Sequence, residues 1–341
     1  MRARVAVPWA ALLLVAVLLS LRRLFAEPFD ELLERSRAAP DNAPGYAGPP
    51  AVVCPAKDAA VETLERELDA VVQLEAPQTI WQSDGMVGLV RHWLARRTWR
   101  RANPSWRYRF LSNADAWLVK ALSPSPSLQA RVLGVYRSFP RPVLRADFLR
   151  YFLLFVAGGV WSDADTRPMQ PVDVWLDAAT TANESISTVL SIERDYPFRI
   201  EPDWLRRGWT DPQRGYAFVQ WTLLARPGSA VMRRAIIGAL LRAEAHGAAP
   251  YTDNDVIYTT GPRLLTDAAL ETMACHTGPE QTFSWLDISG LDAPKTFGSV
   301  HVLPLFAFSG DPTDAANDEG FRKLMRVEHF YSGGWKHRSS W

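Results

Sequence analysis

The chain has 341 residues, 48% of them hydrophobic and 22% charged, and 38 basic residues against 37 acidic give a formal charge of +1. Wholesale disorder is excluded, because it needs low hydrophobicity and high net charge. A nucleic-acid binder working through a bulk basic field is excluded by the near-neutral balance. Two cysteines, Cys54 and Cys275, are too few for a disulfide scaffold or a four-thiolate zinc site, and whether they form one bridge is left open.

Arg2 and Arg4 precede an uncharged run from Val5 to Leu21, which Arg22 and Arg23 close. At helical rise the run spans about 25 Å, near the lower limit for a thin bilayer. It predicts an uncleaved signal anchor over 5–21 with a cytosolic tail over 1–4. The alternative is a cleaved signal peptide, with Ala26 near the cut. Either reading puts the bulk of the chain in the secretory lumen, and the sequon Asn183-Glu184-Ser185 agrees. Residues 22–76 read as a stem, broken by Pro40, Pro44, Gly45, Gly48, Pro49 and Pro50. Within it Val61, Leu64, Leu68 and Val71 repeat at helical spacing and predict a surface helix over 57–72, packed on the domain.

From residue 77 strands alternate with helices. Gln78 to Gln82 reads as a first strand and Val87 to Arg101 as a helix. Trp106 to Leu111 alternates like a strand, and Asn113-Ala114-Asp115 starts another helix. That order is the α/β signature.

The centre of the chain carries the chemistry. Ala146 to Ala157 is almost wholly apolar and predicts a buried helix. Asp147 and Arg150 share one of its faces at a spacing of three. Buried charges must pair with each other or face a polar ligand. Gly158-Gly159 stops the helix, Val160-Trp161-Ser162 forms a short strand, and Asp163 and Asp165 fall at its end. In an extended chain two such carboxylates point the same way, about 6.6 Å apart. They can then approach one divalent cation and, through it, a diphosphate leaving group. The D-x-D pattern alone is weak: 22 aspartates predict about 1.4 occurrences by chance, and Asp253-Asn254-Asp255 is a second one. The setting distinguishes the first, since carboxylates at a strand's C-terminal end occupy the usual ligand crevice of an α/β sheet.

The segment from Arg145 to Asp165 resembles the D-x-D region of glycosyltransferase family 32, and within it the fungal initiating α-1,6-mannosyltransferases. Further segments carry the likeness in the same order over about residues 77–338: Ile80-Trp81-Gln82; Asn103 to Arg109; Phe218 to Thr222 with Arg226-Pro227-Gly228; Thr260-Gly261-Pro262; and His329 to Tyr331 with Gly333, Trp335 and Lys336. Two positions depart from the pattern. Gly334 stands where the family has Ser before the last Trp, and Ser229 stands where it has His.

The resemblance implies a GT-A fold, Rossmann-like, over 77–341 as a single catalytic domain with an N-terminal membrane anchor. It implies a type II Golgi membrane protein that uses Mn²⁺ and GDP-mannose, retains the anomeric configuration and acts on a mannose-rich N-glycan. Asp165 would bind the metal directly and Asp163 would hold the ribose or the metal. Asp147 and Arg150 would bind the donor sugar, Trp81 would lie near the base, His329 would complete the metal shell and Trp335 would cover the diphosphate. Trp81 could equally be core and His329 a surface side chain. Asp253 and Asp255 either face the acceptor or cap a helix. Glu193 is a nucleophile candidate by position only, and front-face attack with the departing phosphate as base is preferred. The rivals are an inositol phosphoceramide mannosyltransferase, a hexosyltransferase using UDP-galactose or UDP-N-acetylglucosamine, and a luminal carbohydrate-binding protein with a dead site.

Overall fold

Alternation along short strands divides the core of the protein in two. In the computed structural model, Trp81 and Trp161 face one side of the sheet with Leu190, Ile192 and Leu223, while Ile80, Val160 and Val189 face the other. Successive residues of a strand point to opposite faces, so a sheet with both faces covered is apolar on consecutive positions. The structure describes residues 51–56, 58–74, 78–83, 93–112, 114–195, 216–277, 283–308 and 323–331, with only the backbone of Trp285 and Leu286. By contacts the chain divides into units 1–46 and 47–341. The first lies wholly outside the described residues, and the expected tail and anchor lie there with it.

The described chain begins with helix α1 (Ala59–Asp69), and β1 (Thr79–Gln82), α2 (Trp93–Ala102) and β2 (Arg107–Phe110) follow. Next come α3 (Ala114–Ala121), α4 (Pro126–Ser138), α5 (Pro142–Ala157), β3 (Gly159–Ser162), β4 (Thr166–Pro168) and α6 (Ala178–Ala182). Then follow β5 (Thr188–Asp195), β6 (Tyr216–Phe218), β7 (Thr222–Ala225), α7 (Ala230–His246), α8 (Asp253–Thr259) and α9 (Pro262–Ala274). The last are β8 (Lys295–Phe297), β9 (Val300–Leu303) and β10 (Val327–His329). The main sheet runs β2-β1-β3-β7-β5-β9-β8, with β6 paired to β5. Strands β2, β1 and β3 are mutually parallel, as are β5 and β9. Strand β7 runs antiparallel between β3 and β5. The expected α/β class is therefore what the chain adopts, as a mixed sheet.

Helix α5 is four residues longer at its N-terminus than the apolar run from Ala146 suggests, because Pro142 opens it at a position where no N–H is needed. Every residue from Asp147 to Ala157 is buried. The helix packs against α7, which in turn packs against α9, on the Trp81 and Trp161 side. Helix α1 forms inside the predicted 57–72 span. Asp58 caps it, and it buries Leu64, Leu68 and the following Val71 against the body. Cys54 is disulfide-bonded to Cys275 just beyond α9, so the segment before α1 is tied to the same body. Among the described residues no helix is long and apolar enough to cross a membrane.

Candidate active site

Two glycines connect the buried helix to the strand that ends in the acidic pair. Gly158 has φ 65° and caps α5, donating its N–H to the Leu154 carbonyl. Gly159 has φ 101°, and a Cβ there would lie 2.1 Å from the Thr79 carbonyl oxygen. Only glycine lets β3 begin this close beside β1.

The strand stops at Ser162, and the D-x-D is a turn rather than the extended continuation expected from sequence. The Asp163 N–H donates to Trp221 O at 2.8 Å. Its carbonyl accepts from Gln82 Nε2 at 2.9 Å and from Thr166 Oγ1 at 2.6 Å. A turn separates the two side chains. Asp163 Oδ1 accepts from Trp161 Nε1 at 2.7 Å and from Arg150 Nη2 at 3.1 Å. Asp165 Oδ1 lies 3.4 Å from Nε2 of His329. Loss of water raises the Asp163 pKa, Arg150 opposes the shift, and the like charge of Asp165 adds to it.

Arg150 joins three elements. Besides Asp163 it reaches Asp147 Oδ1 at 3.1 Å and donates Nη1 to the Gln220 carbonyl at 3.1 Å. Asp147 and Arg150 are 3% and 4% exposed and pair with each other. Thr260 Oγ1 donates to the other oxygen of Asp147 at 3.2 Å. Gln220 Nε2 donates to the Tyr151 hydroxyl and to Thr260 O, at 2.6 and 2.7 Å. Burial raises the Asp147 carboxyl to about 7 against the pull of Arg150. Gln220 and Thr260 stand in segments that carried the family likeness, but residue type and spacing gave them no role. Their partners on α5 are far away in sequence.

His329 comes from the last described strand. Strand β10 pairs with β4 so that His329 faces Thr166, and Phe330 N donates to Asp165 O at 2.9 Å. The imidazole stacks on the Trp221 ring at 4.4 Å and 8°, and Tyr331 meets it edge-on at 4.3 Å. His329 is therefore no surface side chain: it is 11% exposed, and its Nδ1 is buried with no hydrogen-bond partner among the described residues. Two donors 3.4 Å apart sit near the separation of neighbouring ligands on an octahedral dication, about 3 Å for bonds of about 2.1 Å. The carboxylate suits Mn²⁺, and the imidazole is a ligand of transition-metal dications generally. Asp163 is turned toward Arg150 and Trp161. Among the described residues no three His, Cys, Asp or Glu side chains are placed to hold a metal ion. The fit is that of an ion held by one or two protein groups and completed by substrate phosphates.

The other candidates lie elsewhere. Trp81 is 8% exposed, donates its indole N–H to Gly158 O at 2.9 Å and meets Trp117 edge-on, which is a core position. Glu193 sits where the β5–β6 register slips, 3.2 Å from Arg194. Asp255 completes a capping box with Thr252 at the start of α8, and Asp253 pairs with Arg141 at 2.7 Å. Trp335 lies outside the described residues.

Residues 90–182 match the family model described as "Glycosyltransferase sugar-binding region containing DXD motif". That span contains α2, the buried helix α5, both glycines and the D-x-D turn. The chain is 28% identical over 274 residues to the initiation-specific alpha-1,6-mannosyltransferase of Schizosaccharomyces pombe, covering 79% of this chain and 66% of that protein. It is 28% identical over 289 residues to the protein of the same name from Candida albicans, covering 76% and 72% respectively. The match thus spans about two thirds of the length of these relatives. The solved structure of PaToxG glycosyltransferase superposes with a TM-score of 0.37 at 11% identity, over 63% of this chain and 77% of that one, too slight a likeness to add to the fold. The resemblance first read from the motifs therefore holds over this span: residues 90–182 are similar to the D-x-D sugar-binding region of glycosyltransferases.

Proposed function

We propose that the protein transfers mannose from GDP-mannose to a mannose-rich N-glycan, in an α-1,6 linkage and with retention, on a GT-A fold. The observation that carries this reading is the D-x-D turn at the C-terminal end of β3, whose second carboxylate faces His329. Such strand ends are where open α/β sheets bind ligands. The two relatives named as α-1,6-mannosyltransferases support the sugar and the linkage. Asp165 and His329 would hold Mn²⁺, which when bound neutralises charge on a diphosphate leaving group. Arg150 holds the Asp163 carboxylate in place, and the Trp221 ring fixes the plane of His329. Such preorganised charge is usually the largest electrostatic contribution to a transfer of this kind. Glu193 is engaged with Arg194, which favours front-face attack with the departing phosphate as base over a covalent intermediate. The reading places residues 1–4 in the cytosol, 5–21 across the Golgi membrane as a single type II span, 22–76 in a stem and 77–341 in the lumen.

A donor screen on the detergent-solubilised full chain tests this, run with Mn²⁺ and with a chelator. GDP-mannose should be consumed, and chelation or Asp165→Asn should abolish turnover. Turnover that survives chelation refutes the metal role. Turnover of UDP-galactose or UDP-N-acetylglucosamine in place of GDP-mannose refutes the donor. A folded protein that turns over no donor is the dead carbohydrate-binding protein.

A further inference from the structure

Helix α2 and strand β2 border a half-open cavity of about 310 Å³ lined by Trp93, Arg96, Arg97, Arg100 and Tyr108. It lies at the edge of the sheet, on the far side of β1 from the strand that ends in the D-x-D. Residues 93 to 112 contain six arginines and no aspartate or glutamate, in a chain whose overall formal charge is only +1. Arginines on other surfaces grip carboxylates: Arg131 holds Glu244 at 2.7 Å, Arg137 holds Asp115 at 2.6 Å and Arg242 holds Asp267 at 2.8 Å. Arg97 and Arg100 have no carboxylate partner among the described residues. Like charges three and four residues apart on one helix cost a few tenths of a kcal/mol per pair, and α2 carries no acid in its first turn to offset them. Positive charge left unmatched by carboxylates at Arg97 and Arg100 is the kind of local inconsistency that functional positions carry.

The rings give the cavity its shape. The Arg96 guanidinium lies 4.6 Å over Phe110 and that of Arg100 lies 4.7 Å over Tyr108. Stacking uses the face of a guanidinium and leaves its N–H edge to donate, the geometry that suits a phosphate. Trp93 is half exposed at the rim, at 49%. A concave site lined by arginines with an aromatic wall fits a small molecule rather than a flat surface. We propose that this cavity binds a small phosphate-bearing molecule, with its phosphate on Arg97 and Arg100 and an apolar or planar body against Trp93.

Titration calorimetry on the full chain, with chelator present, tests the site by comparing phenyl phosphate with inorganic phosphate. Both should bind saturably, and phenyl phosphate should bind more tightly. The double variant Arg97→Gln/Arg100→Gln should weaken phenyl phosphate at least about tenfold, the loss of two charge-assisted contacts. Trp93→Ala should reduce phenyl phosphate to the level of inorganic phosphate, and Asp165→Asn should change neither. The arginines are exposed, so an unchanged melting curve shows that the double variant is folded. The proposal is overturned if neither probe binds, if the arginine pair leaves binding intact, or if Trp93→Ala leaves the phenyl advantage. It is also overturned if the chain is captured only by phosphatidylcholine vesicles containing phosphatidylserine, the mark of a membrane-facing patch. The readout is binding without turnover, so it stands or falls separately from the transferase reading.

Discussion

Asp147 makes the pH dependence of stability a test of the buried network. Its carboxyl is 3% exposed, and burial raises its pKa from 3.8 to about 7, although Arg150 and Thr260 favour the ionised form. A group raised in this way contributes stability that is fully present below the unfolded pKa and is lost as pH climbs through the folded one. With one proton and 1.36 kcal/mol per pKa unit, the wild type should lose about 2 kcal/mol between pH 5 and pH 7. Asp147→Asn keeps the shape and removes the titration. It also frees Arg150 for Asp163, which lowers the pKa of that carboxyl and widens the contrast in the same direction. Urea unfolding of both proteins at pH 5, 6, 7 and 8 measures the gap. The variant's advantage should grow from pH 5 to 7 and level off by pH 8. Parallel curves would show that Asp147 is ionised throughout and that Arg150 outweighs burial, and the reasoning would be refuted.

Gly159→Ala must push β1 away from β3, because its Cβ would meet the Thr79 carbonyl at 2.1 Å with φ at 101°. A loss on the order of 4 kcal/mol or more is expected, and a urea midpoint equal to wild type would contradict the close approach. The double variant Cys54→Ser/Cys275→Ser removes the bond that ties the segment before α1 to the end of α9. It should melt lower by the equivalent of about 2–4 kcal/mol. Reductant should bring the wild type to the same temperature and leave the variant unmoved; equal melting without reductant speaks against a stabilising link. Glu193→Gln should keep most of the transferase activity, and a collapse of kcat at unchanged KM would revive the nucleophile role.

The local part of the site was legible in the chain. The apolar run from Ala146, the Gly158-Gly159 stop and the short strand to Ser162 are local periodicities, and the structure reproduces each in order. The spacing argument for the acidic pair did not carry over, because it assumed an extended chain. Hydrogen bonds from Gln82 and Thr166 to the Asp163 carbonyl fold that stretch into a turn instead. Trp81 was offered as base platform or core, and the register of β1 against β3, which sets it opposite Trp161, puts it in the core. The second D-x-D had the same spacing as the first, but Thr252 and the start of α8 absorb Asp255 as a cap.

By itself the sequence determined the first alternation of strands and helices, the buried stretch around Asp147 and Arg150 with the short strand after it, and the two glycines that any chain turning so sharply requires. Periodicity and backbone freedom act between neighbours, so these features are readable without a fold. Tertiary structure alone decided that Asp163 turns to Arg150 and Trp161 while Asp165 meets His329, a residue brought in from the other end of the domain by the pairing of β10 with β4. The partners of a buried charge are whichever groups the packed core carries to it, and those groups are set by the register of distant strands rather than by spacing along the chain.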